Sequence, residues 1–158
     1  MRAESRSLPV ALTMGDACGI GPEIIAALFR DRASAGCLVL GDVAVMRRAA
    51  SLTGGMLAVA RIEQPSDALS VPPNCMPVLQ VDGLAADLLA APLGQVDRRA
   101  GAAAAACIAE AVRLALAGEI AAIVTAPIHK EALAAAGVPY PGHTEMLQAL
   151  GARGGVPP

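Results

Sequence analysis

The sequence predicts an α/β fold with a mainly parallel sheet, and three observations lead there. Short, mostly apolar runs such as "LPVALTM", "GCLVLGD" and "EIAAIVTAP" alternate along the chain with stretches that read as helices, the order expected of strand-helix-strand units. The runs are apolar almost throughout rather than at every second residue, which suits strands buried on both faces. Proline, glycine and acidic residues punctuate the joins where helices start and stop.

Taken in order, residues 8–14 are the first strand, closed by Gly15 and Asp16. Pro22 and Glu23 mark the start of a helix over "PEIIAALFRD", because proline suits the first helical position and a carboxylate suits the positive end of the helix. A second strand is expected at 36–42, a second helix over 43–55 ended by Gly54 and Gly55, and a third strand at 56–62. Between 64 and 97, Pro65, Pro72, Pro73, Pro77 and Pro92 interrupt the pattern, and only "MPVLQV" reads as a strand. Residues 98–117, "RRAGAAAAACIAEAVRLALA", are dominated by strong helix formers and end at Gly118. Their few polar positions predict a helix enclosed against a sheet or at a subunit contact. "EIAAIVTAP" follows as a strand, "HKEALAAAG" as a helix closed by Gly137, and "HTEMLQAL" as the start of another helix.

The 158 residues suffice for one domain or for part of a larger two-domain protein. Apolar residues make up 55% of the chain but aromatics only 1%, so the core has to be built from alanine, leucine, valine, isoleucine and methionine. A net charge of −2 with no basic stripe argues against nucleic acid as a partner. Cys18, Cys37, Cys75 and Cys107 lie far apart with no C-x-x-C pair, which fits reduced, partly buried thiols and a cytoplasmic setting. Mean hydropathy is +0.55, yet charges break the apolar runs before the ~20 residues a membrane span requires. The start, "MRAESRSLPVALTMGD", reads as a frayed terminus leading into a strand rather than a signal peptide.

Three segments carry the candidate chemistry. In "TMGDACGIGPEI", Gly15, Gly19 and Gly21 permit a tight turn and close approach of a ligand, and the following helix start offers free N–H groups. It is neither a P-loop nor a G-x-G-x-x-G fingerprint, and Asp16 and Glu23 would repel a phosphate. A ribose hydroxyl, a nicotinamide edge or a water suits it better, with a plain glycine-rich turn as the alternative. In "VTAPIHKEAL", Lys130 sits in a first helical turn, where the macrodipole disfavours a cation by roughly 0.3–1 kcal/mol. That misfit hints at an anionic ligand or a nearby carboxylate; a solvated lysine is the alternative, and His129 beside it could be a surface imidazole. In "YPGHTEML", the turn at Pro141 and Gly142 presents His143 and Thr144 at a helix start, where an imidazole, a hydroxyl and free N–H groups suit a phosphate. The alternative there is an N-capping threonine beside a turn histidine. His129 and His143 lack the i, i+4 spacing of a metal pair, and no G-x-S-x-G elbow exists.

Together these segments resemble the 4-hydroxythreonine-4-phosphate dehydrogenase family of pyridoxal phosphate biosynthesis. "TMGDACGIGPE" is similar to the family's opening, and the stretch from "GQVDRRAG" through "TAPIHK" to "PGHTEML" follows its middle section. The resemblance implies a truncated isocitrate/isopropylmalate-dehydrogenase-like α/β/α architecture, a homodimer, NAD or NADP as hydride acceptor, and a divalent metal (Zn, Mg or Co). It implies a small phosphorylated substrate whose secondary alcohol is oxidised before carbon dioxide is lost. It assigns His143 and Thr144 to substrate binding, sets Lys130 and His129 beside them with Lys130 as the catalytic candidate, and puts Gly15, Asp16, Gly19 and Gly21 at the cofactor end of the cleft.

The resemblance also implies departures. Residues 1–150 correspond to the N-terminal part of a family member, the metal-ligand histidines belong to a C-terminal half that is missing, and 151–158, "GARGGVPP", read as a tail outside the family pattern. On that reading the chain holds no metal ligands and is inactive alone. Ala17 and Cys18 stand where the family has Pro-Ala, which relaxes the turn and adds a thiol. Two other readings remain: a dehydrogenase of a related phosphorylated four-carbon acid or of an aromatic dihydrodiol, and a non-catalytic module that binds a metabolite or pairs with a full-length relative.

Overall fold

The first apolar run forms strand β1 (Val10–Thr13), and the chain turns at Gly15 into helix α1 (Gly21–Arg30), with Pro22 in its first turn. The computed structural model describes residues 7–152, so residues 1–6 of the expected frayed terminus and 153–158 of the expected tail lie outside the described residues. Then come β2 (Cys37–Gly41), α2 (Val43–Leu52), β3 (Ala58–Ile62), β4 (Cys75–Gln80), α3 (Arg98–Leu116), β5 (Ala122–Thr125), α4 (Lys130–Ala135) and α5 (His143–Ala152). Every expected strand and helix is present, with boundaries shifted by a few residues. β3 starts later than expected because Met56, just after the Gly54 and Gly55 turn, takes a left-handed φ of 61° that no strand continues through. The segment where prolines break the pattern holds two 3-10 helices, Pro65–Ser70 and Leu88–Ala90, besides β4.

All five strands are parallel, in the order β3-β4-β2-β1-β5. The links β1 to β2 and β2 to β3 run one way across the sheet, while the link from β4 to β5 runs back. Right-handed crossovers therefore set α1 and α2 on one face and α3 on the other, and the packing agrees: α1 lies on α2, and α3 lies on β1, β2 and β5. The result is the three-layered α/β architecture expected from the sequence.

The enclosure of α3 has a specific form. One side of it, with Ala100, Ala103, Cys107, Ala111 and Leu114, joins the sheet core. Another, with Ala104, Ala105 and Ile108, packs on Leu133 of α4 and Met146 of α5. Alanine lets three layers stack with little space between them. At Gly101 even alanine would not fit, since a Cβ there would overlap the Ala132 carbonyl oxygen of α4.

All four cysteines are free, with Cys18 and Cys107 buried. Among the described residues no helix is long and apolar enough to cross a membrane.

Candidate functional site

In an open parallel sheet, ligands gather beyond the carboxyl ends of the strands where neighbouring connections diverge to opposite faces. Here that place lies between β1, whose chain leaves for α1, and β5, whose chain leaves for α4. Both glycine- and lysine-bearing turns singled out in the sequence are found there.

The two turns touch. The Asp16 N–H donates to the Pro127 carbonyl at 3.0 Å. Gly15, at φ 75°, faces the same carbonyl so closely that a Cβ would overlap it. A Cβ on Gly21 would stand 2.6 Å from the Met14 carbonyl. These two glycines are therefore required by the protein's own backbone packing. Gly19 differs: it is half-buried, and a Cβ there would meet only Asp16, at an ordinary 3.5 Å. Asp16 is 5% exposed, and its Oδ1 accepts the Cys18 N–H at 2.8 Å, so its carboxylate holds the turn from inside. Burial pushes the Cys18 thiol up, and the Asp16 and Asp97 carboxylates add to the effect.

The second turn also touches the third. Lys130 is the first residue of α4, and its Cε lies 3.7 Å from the Cβ position of Gly142; the Glu145 carboxylate comes within 3.2 Å of the same point. Lys130 is exposed and makes no ion pair within 4.0 Å among the described residues, although a carboxylate stands close by. His129 is exposed at the N-cap of α4, where its carbonyl accepts the Leu133 N–H and its side chain caps nothing. α5 opens at His143, which is half-buried, and Thr144 is exposed in the first turn rather than at the N-cap position. The fold thus joins Gly15 and Asp16 to Pro127 and sets Lys130 beside Gly142. Among the described residues no hydrogen bond joins the first turn directly to the third.

No motif or spacing points to what closes the far side of the glycine turn. The loop after β4 folds over it: the Gly94 N–H donates to the Cys18 carbonyl at 2.7 Å. Arg48, from α2, donates to the carbonyls of Ala17 at 3.2 Å and Leu89 at 2.9 Å. Arg99, from the start of α3, pairs with Asp97 and Asp87, each at 2.8 Å. Hydrogen bonds from Arg99 hold the Asp97 carboxyl down at about 2. The only local signal was Asp97 itself, which caps α3 by accepting the Arg99 N–H. Nothing in the spacing of Arg48 ties it to residues 17 or 89.

A cavity of about 410 Å³ lies elsewhere. It opens at the amino ends of β2 and β4, lined by Phe29, Arg32, Ser34 and Cys75 among others, and includes none of the sequence-predicted site residues. A second, of about 370 Å³, lies between α1 and β5 and reaches the site only through Ala126 and Pro127. Among the described residues no group of three or more histidine, cysteine, aspartate or glutamate side chains stands close enough to hold a metal ion.

Known proteins are similar to this chain in sequence and fold. The family model for pyridoxal phosphate biosynthetic protein PdxA matches residues 33–155. A 4-hydroxythreonine-4-phosphate dehydrogenase of Trichlorobacter lovleyi is 41% identical over 144 residues, covering 89% of this chain and 42% of that protein. A D-threonate 4-phosphate dehydrogenase of Pectobacterium atrosepticum is 42% identical, with 89% and 43% covered. Among solved structures, 4-hydroxythreonine-4-phosphate dehydrogenase from Klebsiella pneumoniae superposes with a TM-score of 0.84 at 40% identity, over 94% of this chain and 45% of its own. The chain thus spans somewhat less than half the length of the relatives it matches. The fold and the extent of the family match agree, and the chain belongs to the PdxA family.

Proposed function

We propose that this chain supplies one wall of the active site of an NAD(P)-dependent dehydrogenase that oxidises 4-phosphooxy-L-threonine in pyridoxal phosphate biosynthesis. One observation carries the reading: the turns at 126–130 and 142–144 meet through Lys130 and Gly142 at the carboxyl end of β5, in a family whose relatives are dehydrogenases of phosphorylated four-carbon acids. His143, Thr144 and the first-turn N–H groups of α5 bind the substrate phosphate, an anion at the positive end of a ten-residue helix. Lys130, exposed and close to Gly142, adds its positive charge to that pocket.

The glycine turn forms the cofactor end, with Gly19 open to a ligand while Gly15, Asp16 and Gly21 fix the turn's shape. The glycine turn would hold the nicotinamide nucleotide, which would supply the hydride acceptor for the carbon bearing the alcohol. The hydroxyl proton leaves to a base, and the resulting 3-oxo acid loses carbon dioxide to give 3-amino-2-oxopropyl phosphate. Among the described residues no group of three or more candidate ligands stands ready to hold a divalent metal. A homodimer working in the cytoplasm fits the free thiols and the family reading.

The test is titration of the chain with 4-phosphooxy-L-threonine, with D-threonate 4-phosphate, and with each alcohol lacking its phosphate, followed by amide NMR. Phosphorylated ligands are expected to shift resonances at 126–130 and 142–146. Affinity should fall about ten-fold, or ~1.4 kcal/mol, in His143→Ala. Shifts confined to other regions, or equal response to the dephosphorylated alcohols, would reject the pocket.

A further inference from the structure

The cavity of about 410 Å³ lies at the other end of the strands from the turns at 15–22, 126–130 and 142–144, and no step of the proposed reaction uses it. Its size falls within the roughly 300–1,000 Å³ of small-molecule sites. Phe29, Leu69, Val71 and Pro73 give it apolar walls, and Cys37 and Cys75 line it with free thiols. Burial pushes both thiols up, which keeps them protonated and uncharged near neutral pH.

Two polar groups interrupt this lining. Ser34 is 6% exposed, yet its hydroxyl makes no hydrogen bond among the described residues. The turn into β2 uses only the backbone of this residue, whose carbonyl accepts the Cys37 N–H at 3.0 Å. A buried hydroxyl left spare by the protein needs a partner from the cavity that it lines. Arg32 carries the one charge in the lining and makes no ion pair within 4.0 Å among the described residues. It stands just past α1 at φ 57°, where its N–H donates to the Phe29 carbonyl and the Ala33 N–H to the Leu28 carbonyl, both at 3.3 Å. Glycine is the usual residue at that place, since it has no Cβ to strain. The helix end therefore has no need of the arginine side chain.

From these facts we infer that the cavity binds a small carboxylic acid with an apolar body. The carboxylate accepts from the Ser34 hydroxyl and pairs with the Arg32 guanidinium, while the hydrocarbon part lies against Phe29, Val71 and the two thiols. One cation among apolar walls matches a single carboxylate better than a doubly charged phosphate. An amine has nothing to pair with, because no acidic side chain lines the cavity.

The experiment titrates the chain with octanoate, octanol and inorganic phosphate under amide NMR, and follows N-ethylmaleimide labelling of the four cysteines by mass spectrometry. Octanoate is expected to give saturable shifts at 32–37 and 68–75 and to slow labelling of Cys37 and Cys75 several-fold. Octanol should bind at least ~10-fold more weakly, and phosphate should leave these resonances in place. Arg32→Gly, which keeps the helix end, should weaken octanoate about ten-fold without lowering the urea midpoint, and Ser34→Ala should weaken it about five-fold. The inference is overturned if octanoate gives no saturable shift in these segments, if octanol binds as well as octanoate, if phosphate alone shifts them, or if both variants bind octanoate as the parent chain does.

Discussion

The sheet's two edges are built by different means. Around β3, polar side chains make the joins: Arg30 donates to the Thr53 hydroxyl and to the carbonyls of Ala50 and Gly55, at 2.9 to 3.1 Å, tying α1 to the end of α2. Gln80 bridges β4 to the cap of α2, Gln64 and Asp67 close a capping box, and Arg61 and Glu63 put charge on the edge itself. Around β5, backbone meets backbone with only hydrogen at the contact, at Gly15 against Pro127 and Gly101 against Ala132. The edge there carries no charge. The β3 side is finished against water, where a charged edge discourages further pairing. The β5 side relies instead on close backbone packing behind an uncharged edge.

The sharpest way to break this contrast is Gly101→Val. With the Ala132 carbonyl in the way, α3 and α4 have to separate, and more than ~3 kcal/mol of stability should be lost in urea unfolding. Arg30→Ala strikes the other half, where solvent can replace part of what is lost; about 2 kcal/mol is expected, with exchange quickening around Thr53 and Gly55 rather than throughout. A gain should come from Thr13→Val. The Thr13 hydroxyl at the end of β1 is fully buried and has no partner among the described residues, so a valine of similar shape should raise the urea midpoint by the equivalent of ~1 kcal/mol. Gentlest is the acid response. Asp97 is held down at about 2 from an ordinary 3.8, so its contribution is present above pH ~4 and is lost as pH falls towards 2. Asp97→Asn should flatten that part of the stability profile; an unchanged profile would show that the Arg99 pair contributes nothing in solution.

Much of this was legible in the sequence because local chemistry sets it. Pro22, Glu23 and Gly118 mark helix ends, and the long alanine run marks α3. The turn order at the site was legible too, since each turn lies between a readable strand and a readable helix. What stayed hidden is non-local. The glycines at 15 and 21 are visible as permissive positions, but only the fold reveals that they accommodate carbonyl oxygens of Pro127 and Met14. Asp16 reads as a ligand-facing carboxylate and proves to be turned inward. Arg48 reaches Ala17 and Leu89 from the middle of α2, and no periodicity announces such a bond. The segment from 64 to 97 failed to declare itself because its structure is 3-10 turns and side-chain bonds, which have little hydrophobic period to read.

The doubly covered α3 bears on how this sequence is free to drift. Ala100, Ala103, Ala104, Ala105 and Ala111 are all buried between the sheet and the outer helices, and any heavier side chain there has to displace a whole layer. Arg98, Ala102, Ala109, Arg113 and Leu116 are its exposed positions. Neutral change along α3 should therefore collect at those positions, while the buried positions interchange only among alanine, glycine and serine. A lineage that accumulates substitutions quickly elsewhere would keep this helix nearly fixed in volume, with the polar content of one narrow face as its only freely varying character.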